Sequence, residues 1–179
     1  MARKPRHEEA GAIHHVYARG VERRLIFLSD DDRHIYLEVL DLVVEETRWR
    51  CLAYCLMPNH VHLLIETPTP NLGVGMQRLH GLYAQDFNDR YGRVGHLFQG
   101  RYGSSRIRTD AQLASIVEYI SLNAVRAGLS ADPKGWPWSS TAALASGSPP
   151  AWLAARRLDD LTAEGLMGAA GFEQATSRV

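Results

Sequence analysis

Two eight-residue runs rich in apolar side chains, RCLAYCLM at 50–57 and HVHLLIET at 60–67, are separated only by Pro58 and Asn59. Runs of this length and composition read as strands, and so short a connection makes them an antiparallel hairpin. Proline is not the usual first residue of a primed hairpin turn, yet both connecting residues are turn formers. Pro68 and Pro70 stop the second strand. Upstream, AIHHVYARG (12–20) reads as a strand ending at Gly20. Ser29 then offers an N-cap, and Asp30 to Asp32 place acidic charge in the first turn of a helix whose apolar positions run from Ile35 to Val44.

Downstream, Asn71 opens a second helix, with Val74, Met76, Leu79, Leu82, Tyr83 and Phe87 at mixed three- and four-residue spacings up to Tyr91-Gly92. A Gly- and Arg-rich loop, GRVGHLFQGRY (92–102), leads to a short strand SSRIRT (104–109) and a third helix from Asp110 to Ala127, stopped at Gly128. The order β-α-β-β-α-β-α describes an α+β chain of the ferredoxin-like (RRM-like) kind, an antiparallel sheet with helices on one face plus an extra helix. The expected division is a domain over 1–130 and an extension over 131–179 that contains WPWSS and an Ala/Gly-rich tail.

Composition excludes several classes. At 179 residues and 45% apolar content the chain has the makings of one compact domain, not of a disordered tail. No run approaches the roughly 18 apolar residues of a membrane span, and MARKPRHEEAG lacks the apolar core of a signal peptide. The expectation is a soluble cytoplasmic protein without a membrane partner. Cys51 and Cys55 are too few for a disulfide scaffold, in keeping with a reducing compartment.

The formal net charge of zero conceals a pattern. Residues 78–108 carry Arg78, Arg90, Arg93, Arg101, Arg106 and Arg108 against Asp86 and Asp89 only, and the N-terminal stretch is also basic. Arginine offers a planar fork suited to phosphates and base edges, so two basic segments around an acidic one have the form of a nucleic-acid face; two solvated surfaces would look the same.

The densest chemistry lies at Met57-Pro58-Asn59-His60-Val61-His62. Alternation along a strand puts His60 and His62 on one side, with α-carbons roughly 6–7 Å apart, within reach of one metal ion. Cys51 and Cys55 suggest a zinc site, but four extended residues separate them by about 13 Å, so they read as small core residues. A histidine-triad nucleotide site fails because the next position on the same face is Leu64. On the third helix, Tyr119 and Asn123 are four apart and share a face, so an amide oxygen could complete a His, His, Asn set while the phenol points at the same centre. By spacing alone the two are equally an amphipathic core residue and a late-helix polar residue.

AYCLMPNHVHLLIET, NLGVGMQRLHGLYAQDFNDRYGRVGHLFQGRY and VEYISLNAVRAGL, in that order and followed by WPWSS, resemble the single-strand DNA transposases of the HUH type with one catalytic tyrosine, and most closely the REP-associated tyrosine transposases. The resemblance extends from about Ile13 to Ser140. It implies that residues 1–130 form the HUH catalytic domain, that His60 and His62 are the motif's metal ligands, that Asn123 is the amide ligand and that Tyr119 is the nucleophile. It further implies a divalent cation, Mg²⁺ or Mn²⁺, a covalent 5'-phosphotyrosine intermediate, and single-stranded or hairpin DNA as partner, in the cytoplasm with the nucleoid. Members near this branch recognise imperfect palindromes with a guide tetranucleotide at the foot.

Arg3, Lys4, Arg6 and Arg19 are the expected guide contacts, with Arg78, Arg101, Arg106 and Arg108 on the hairpin phosphates. Tyr83, Tyr91, Phe98 and Tyr102 are candidate stacking groups. The family commonly has proline after the asparagine, where this chain has Ala124. A hairpin-binding protein that has lost cleavage, and a phosphodiesterase using water in place of Tyr119, remain alternatives, and a monomer and a homodimer are both compatible.

Overall fold

Strands β1 (Ala12–Arg19), β2 (Arg50–Met57), β3 (His60–Thr67) and β4 (Gly103–Ile107) form one antiparallel sheet in the order β2-β3-β1-β4 in the computed structural model, which describes residues 8–165. That is the ferredoxin-like arrangement expected from the element order. The hairpin closes as the sequence dictates, with Met57 opposite His60 across Pro58-Asn59.

Helices α1 (Asp30–Thr47) and α2 (Leu72–Tyr91) cover one face of the sheet. Tyr36, Leu40 and Val43 of α1 and Met76, Leu79, Tyr83 and Phe87 of α2 bury there against Val16, Tyr54, Leu56, Leu63 and Ile65. Ser29 and Asp32 cap α1 reciprocally: the Asp32 N–H donates to Ser29 Oγ and the Ser29 N–H donates to Asp32 Oδ2. Fully buried, Asp32 also accepts from the Leu28 N–H, from Arg90 Nη1 at 2.8 Å and from the Tyr91 hydroxyl, which ties the start of α1 to the end of α2.

The opposite face carries α3 (Asp110–Ser121), the short α4 (Asn123–Arg126) and α6 (Ala155–Gly165), packed on Ala53, Cys55, Met57 and Leu64. The single helix expected over 110–127 is therefore two. Leu122, still in the right-handed region, loosens the backbone to φ −87°, ψ −1° between them, although the chain lacks a proline there. At the far end, Gly128 at φ +70° closes α4: its N–H donates to Val125 O and the Leu129 N–H to Ala124 O.

A bulge in β2 between Cys51 and Ala53 shifts the alternation by one residue. Cys51 consequently buries on the α1/α2 face and Cys55 on the α3 face. The thiols cannot share one zinc ion, and both pack as core residues.

Trp138, Ser139 and Ser140, at the entry to α5 (Ser140–Ala145), run along the outer edge of β2. The Leu56 N–H donates to Trp138 O, and Ser140 Oγ accepts from the Tyr54 N–H and donates to Tyr54 O. Farther on, the Ala154 N–H donates to Cys51 O, and Arg157 of α6 grips Glu66 of β3 with two hydrogen bonds of 3.0 and 3.1 Å. Among the described residues no helix is long and apolar enough to cross a membrane.

Candidate active site

His60 and His62 stand at the start of β3, beside the end of β1, where their strand partners are Arg19 and Tyr17. Alternation brings Tyr17 and Arg19, together with His15, onto the face that carries both histidines. Helix α3 crosses this face and lowers Tyr119 beside them. The Tyr119 ring lies edge-on to His62 at 5.3 Å, and the imidazoles of His60 and His62 stand perpendicular at 5.0 Å. One turn on, past the break at Leu122, the buried Asn123 hydrogen-bonds the His60 side chain. Tyr119, His60 and His62 line a cleft of about 490 Å³ with Tyr17, Arg19, Gln99 and Arg101.

The hydrogen bonds fix how these imidazoles are presented. Asn59 Nδ2 donates to Arg23 O at 3.1 Å, which turns Asn59 Oδ1 toward His60; His60 Nδ1 donates to that oxygen at 2.7 Å, leaving the lone pair on Nε2. His62 Nδ1 is 3.0 Å from His15 Nε2, and its own Nε2 is sealed from water with no hydrogen-bond partner among the described residues. A buried ring nitrogen without a partner is costly in apolar surroundings, and a cation is one way to satisfy it. Two imidazoles and an amide fit a divalent cation whose remaining positions are filled by water or phosphate oxygens. No group of three or more His, Cys, Asp or Glu side chains is gathered for a metal among the described residues.

Burial keeps the imidazoles neutral. His62 is pushed down to about 3, chiefly by desolvation and then by the neighbouring His60 and His15. His60 is lowered mainly by desolvation, with the Asn123 hydrogen bond acting in the opposite sense and Arg19 adding to the lowering. His15 is lowered by burial alone. Neutral imidazoles keep their lone pairs available at physiological pH.

Of the basic residues singled out in the sequence, Arg19 and Arg101 reach this cleft. Arg78 lies on α2, across the sheet, paired with Glu46. Arg106 pairs with Glu9 at 2.6 Å, and Arg108 lines a separate recess at the start of α3. Arg3, Lys4 and Arg6 lie outside the described residues. Of the candidate stacking groups, Tyr83, Phe98 and Tyr102 are buried and only Tyr91 is exposed. Sequence reasoning missed His15 and Tyr17, though the positions 15, 17 and 19 share a strand face, and it missed Arg126, whose guanidinium lies 5.6 Å from the Tyr119 ring centre. The spacing of 119, 123 and 126 was the available signal.

Comparison with known proteins adds a family. The model of the family described as Transposase IS200 like matches residues 10–123. A Haemophilus influenzae protein assigned as a REP-associated tyrosine transposase is 28% identical over 107 residues, covering 54% of this chain and 61% of that protein, so the chain matches less than two thirds of that relative's length. The solved structure of a REP-associated tyrosine transposase bound to a REP hairpin superposes with a TM-score of 0.65 at 20% identity, over 84% of this chain and 89% of that one. That likeness is one of fold.

Proposed function

The chain belongs to the IS200-like transposase family, and from this premise we propose that it cuts and rejoins single-stranded DNA at hairpin sequences, with Tyr119 as nucleophile and His60, His62 and Asn123 as the protein ligands of a divalent cation. The observation that carries the reading is that Tyr119, His60 and His62 line one cleft with Asn123 at the His60 side chain, the His60 and His62 Nδ1 atoms being engaged and His62 Nε2 lacking a partner among the described residues. Mg²⁺ or Mn²⁺ held there would polarise the scissile phosphate and offset charge in the transition state. Mn²⁺, being more tolerant of nitrogen ligands, is expected to bind more tightly.

The chain's own groups do the rest. The Tyr119 oxygen attacks phosphorus as the bond to the 3'-oxygen breaks, the phenol losing its proton and the leaving 3'-oxygen gaining one. The product is a 5'-phosphotyrosine, whose ester a second 3'-hydroxyl can attack without a nucleotide cofactor. Arg126 lies over the Tyr119 ring, and Arg19 and Arg101 line the cleft where backbone phosphates would pass.

Labelled hairpin oligonucleotides incubated with Mn²⁺ and resolved on a denaturing gel test the reading. Wild type is expected to form a covalent DNA adduct and Tyr119→Phe none. Hairpin binding without an adduct would make the protein a binder, and strand cutting that survives Tyr119→Phe would make it a phosphodiesterase using water.

His15 serves the site through His62. With the proton on His62 Nδ1 donated to His15 Nε2, the His62 lone pair sits on Nε2 and the ring cannot rotate freely. His15→Ala is expected to weaken Mn²⁺ binding by about 10–100-fold, read by calorimetric titration or by the electron paramagnetic resonance of free Mn²⁺. Unchanged affinity would detach His15 from the site.

A further inference from the structure

Tyr17 is an unusual occupant of the cleft floor. It is 45% exposed near the end of β1, although His15, two residues back on the same face, is buried. Its seat is Gly103 of β4, its strand partner. A methyl group on Gly103 would lie 2.3 Å from two carbons of the Tyr17 ring, so the ring lies against bare backbone and a side chain at 103 would displace it from there. One side of the ring is thus supported and the other is presented to the cleft. The ring centre is 6.3 Å from that of His62 and 5.6 Å from that of His15.

Gln99 faces the same space. Its N–H donates to Arg19 O at 2.8 Å, which pins the 97–99 loop against the end of β1 and keeps Gln99 at the cleft. A flat aromatic surface beside a phosphate-handling centre, with an amide carrying adjacent donor and acceptor at its rim, matches a nucleobase: the face stacks and the edge pairs.

We propose that Tyr17, seated on Gly103, is the stacking platform for the unpaired base next to the scissile phosphate, and that Gln99 reads the edge of that base. The inference rests on the cleavage reading above and adds what selects the nucleotide. A Gln amide presents one donor and one acceptor side by side, and each unpaired base carries such a pair at a differently placed edge, so the position of the amide selects among them. Tyr17 and Gln99 do not act on the phosphate. Their loss changes which DNA is held, and leaves the His60, His62 and Tyr119 geometry in place.

The test uses the full chain and two readouts. In the Tyr119→Phe background, which holds DNA uncut, hairpin oligonucleotides carry 2-aminopurine at each unpaired position beside the foot in turn. Stacking on Tyr17 is expected to quench one position; Tyr17→Phe keeps the quench, while Tyr17→Ala and Gly103→Ala abolish it with Mn²⁺ affinity unchanged. With Tyr119 intact, adduct formation on oligonucleotides bearing each of the four bases there is expected to favour one base by about tenfold, and Gln99→Ala to level the preference. A quench that persists in both Tyr17→Ala and Gly103→Ala, or base-independent cutting by wild type, overturns the inference while leaving the cleavage reading intact. A Tyr17-dependent quench with no adduct from wild type supports the platform and sinks cleavage. Failure of every oligonucleotide to bind sinks both.

Discussion

Asp32→Ala is expected to lower folding stability by about 3–5 kcal/mol, measured as a fall in the urea midpoint at unchanged slope. One carboxylate with no exposed surface accepts from two backbone N–H groups at the start of α1, from Arg90 and from Tyr91 at the end of α2. Removing it unties the cap and leaves two orphaned N–H groups. It also takes from the partly exposed Arg90 its nearer acid, leaving only Asp86 at 3.8 Å. The double variant with Arg90→Met should recover part of the loss, because the guanidinium that loses its Asp32 partner goes with it. A loss below about 1 kcal/mol would mean that the network behaves like an exposed surface pair. The change lies across the sheet from the cleft, so Mn²⁺ affinity of the folded fraction should hold.

Acid should destabilise the metal-free protein from near pH 6.5 downward. His80 of α2 stacks on Phe98 at 4.1 Å with its Nε2 sealed from water and without a hydrogen-bond partner among the described residues, and desolvation pushes it down to about 3. In the unfolded chain the same ring takes up a proton near 6.5. Between those values the unfolded state binds more protons than the native state, so stability is fully present above about pH 6.5 and falls as pH falls toward 3. At pH 5 the loss amounts to about 2 kcal/mol for His80, and His62 acts in the same sense. Urea midpoints at pH 7.5 and pH 5 read the slope directly, and His80→Leu should flatten it by about its His80 share. A profile flat from 7.5 to 5 would show that His80 is hydrated in the native state.

What could be read in advance follows the range of the interactions. The hairpin over 50–57 and 60–67 and the capped start of α1 depend on neighbours a few residues away, and the chain shows them with the expected bounds. Features set by distant partners were not legible. Arg78, Arg90 and Arg106 have the composition of a nucleic-acid face, yet each is paired with an acid dozens of residues away, Glu46, Asp32 and Glu9. The bulge that sends Cys51 and Cys55 to opposite faces has no marker in RCLAYCLM, and the break at Leu122 none in SLNAVR. At the site, the pairs at His60/His62 and Tyr119/Asn123 stood out by period. His15 did not, since its bond to His62 spans 47 positions and exists only once β1 lies beside β3.

Every open sheet has two margins, and this one spends part of its own chain on closing the first. The Trp138–Ser140 segment occupies the outer backbone groups of β2 at Tyr54 and Leu56, so a strand from a second molecule would have to displace it before adding there. Sheet-to-sheet polymerisation, whether a functional pairing or the first step toward fibrils, is thereby steered to the β4 side. Polarity of assembly is written into the tail, even though the tail supplies none of the four side chains that would handle DNA.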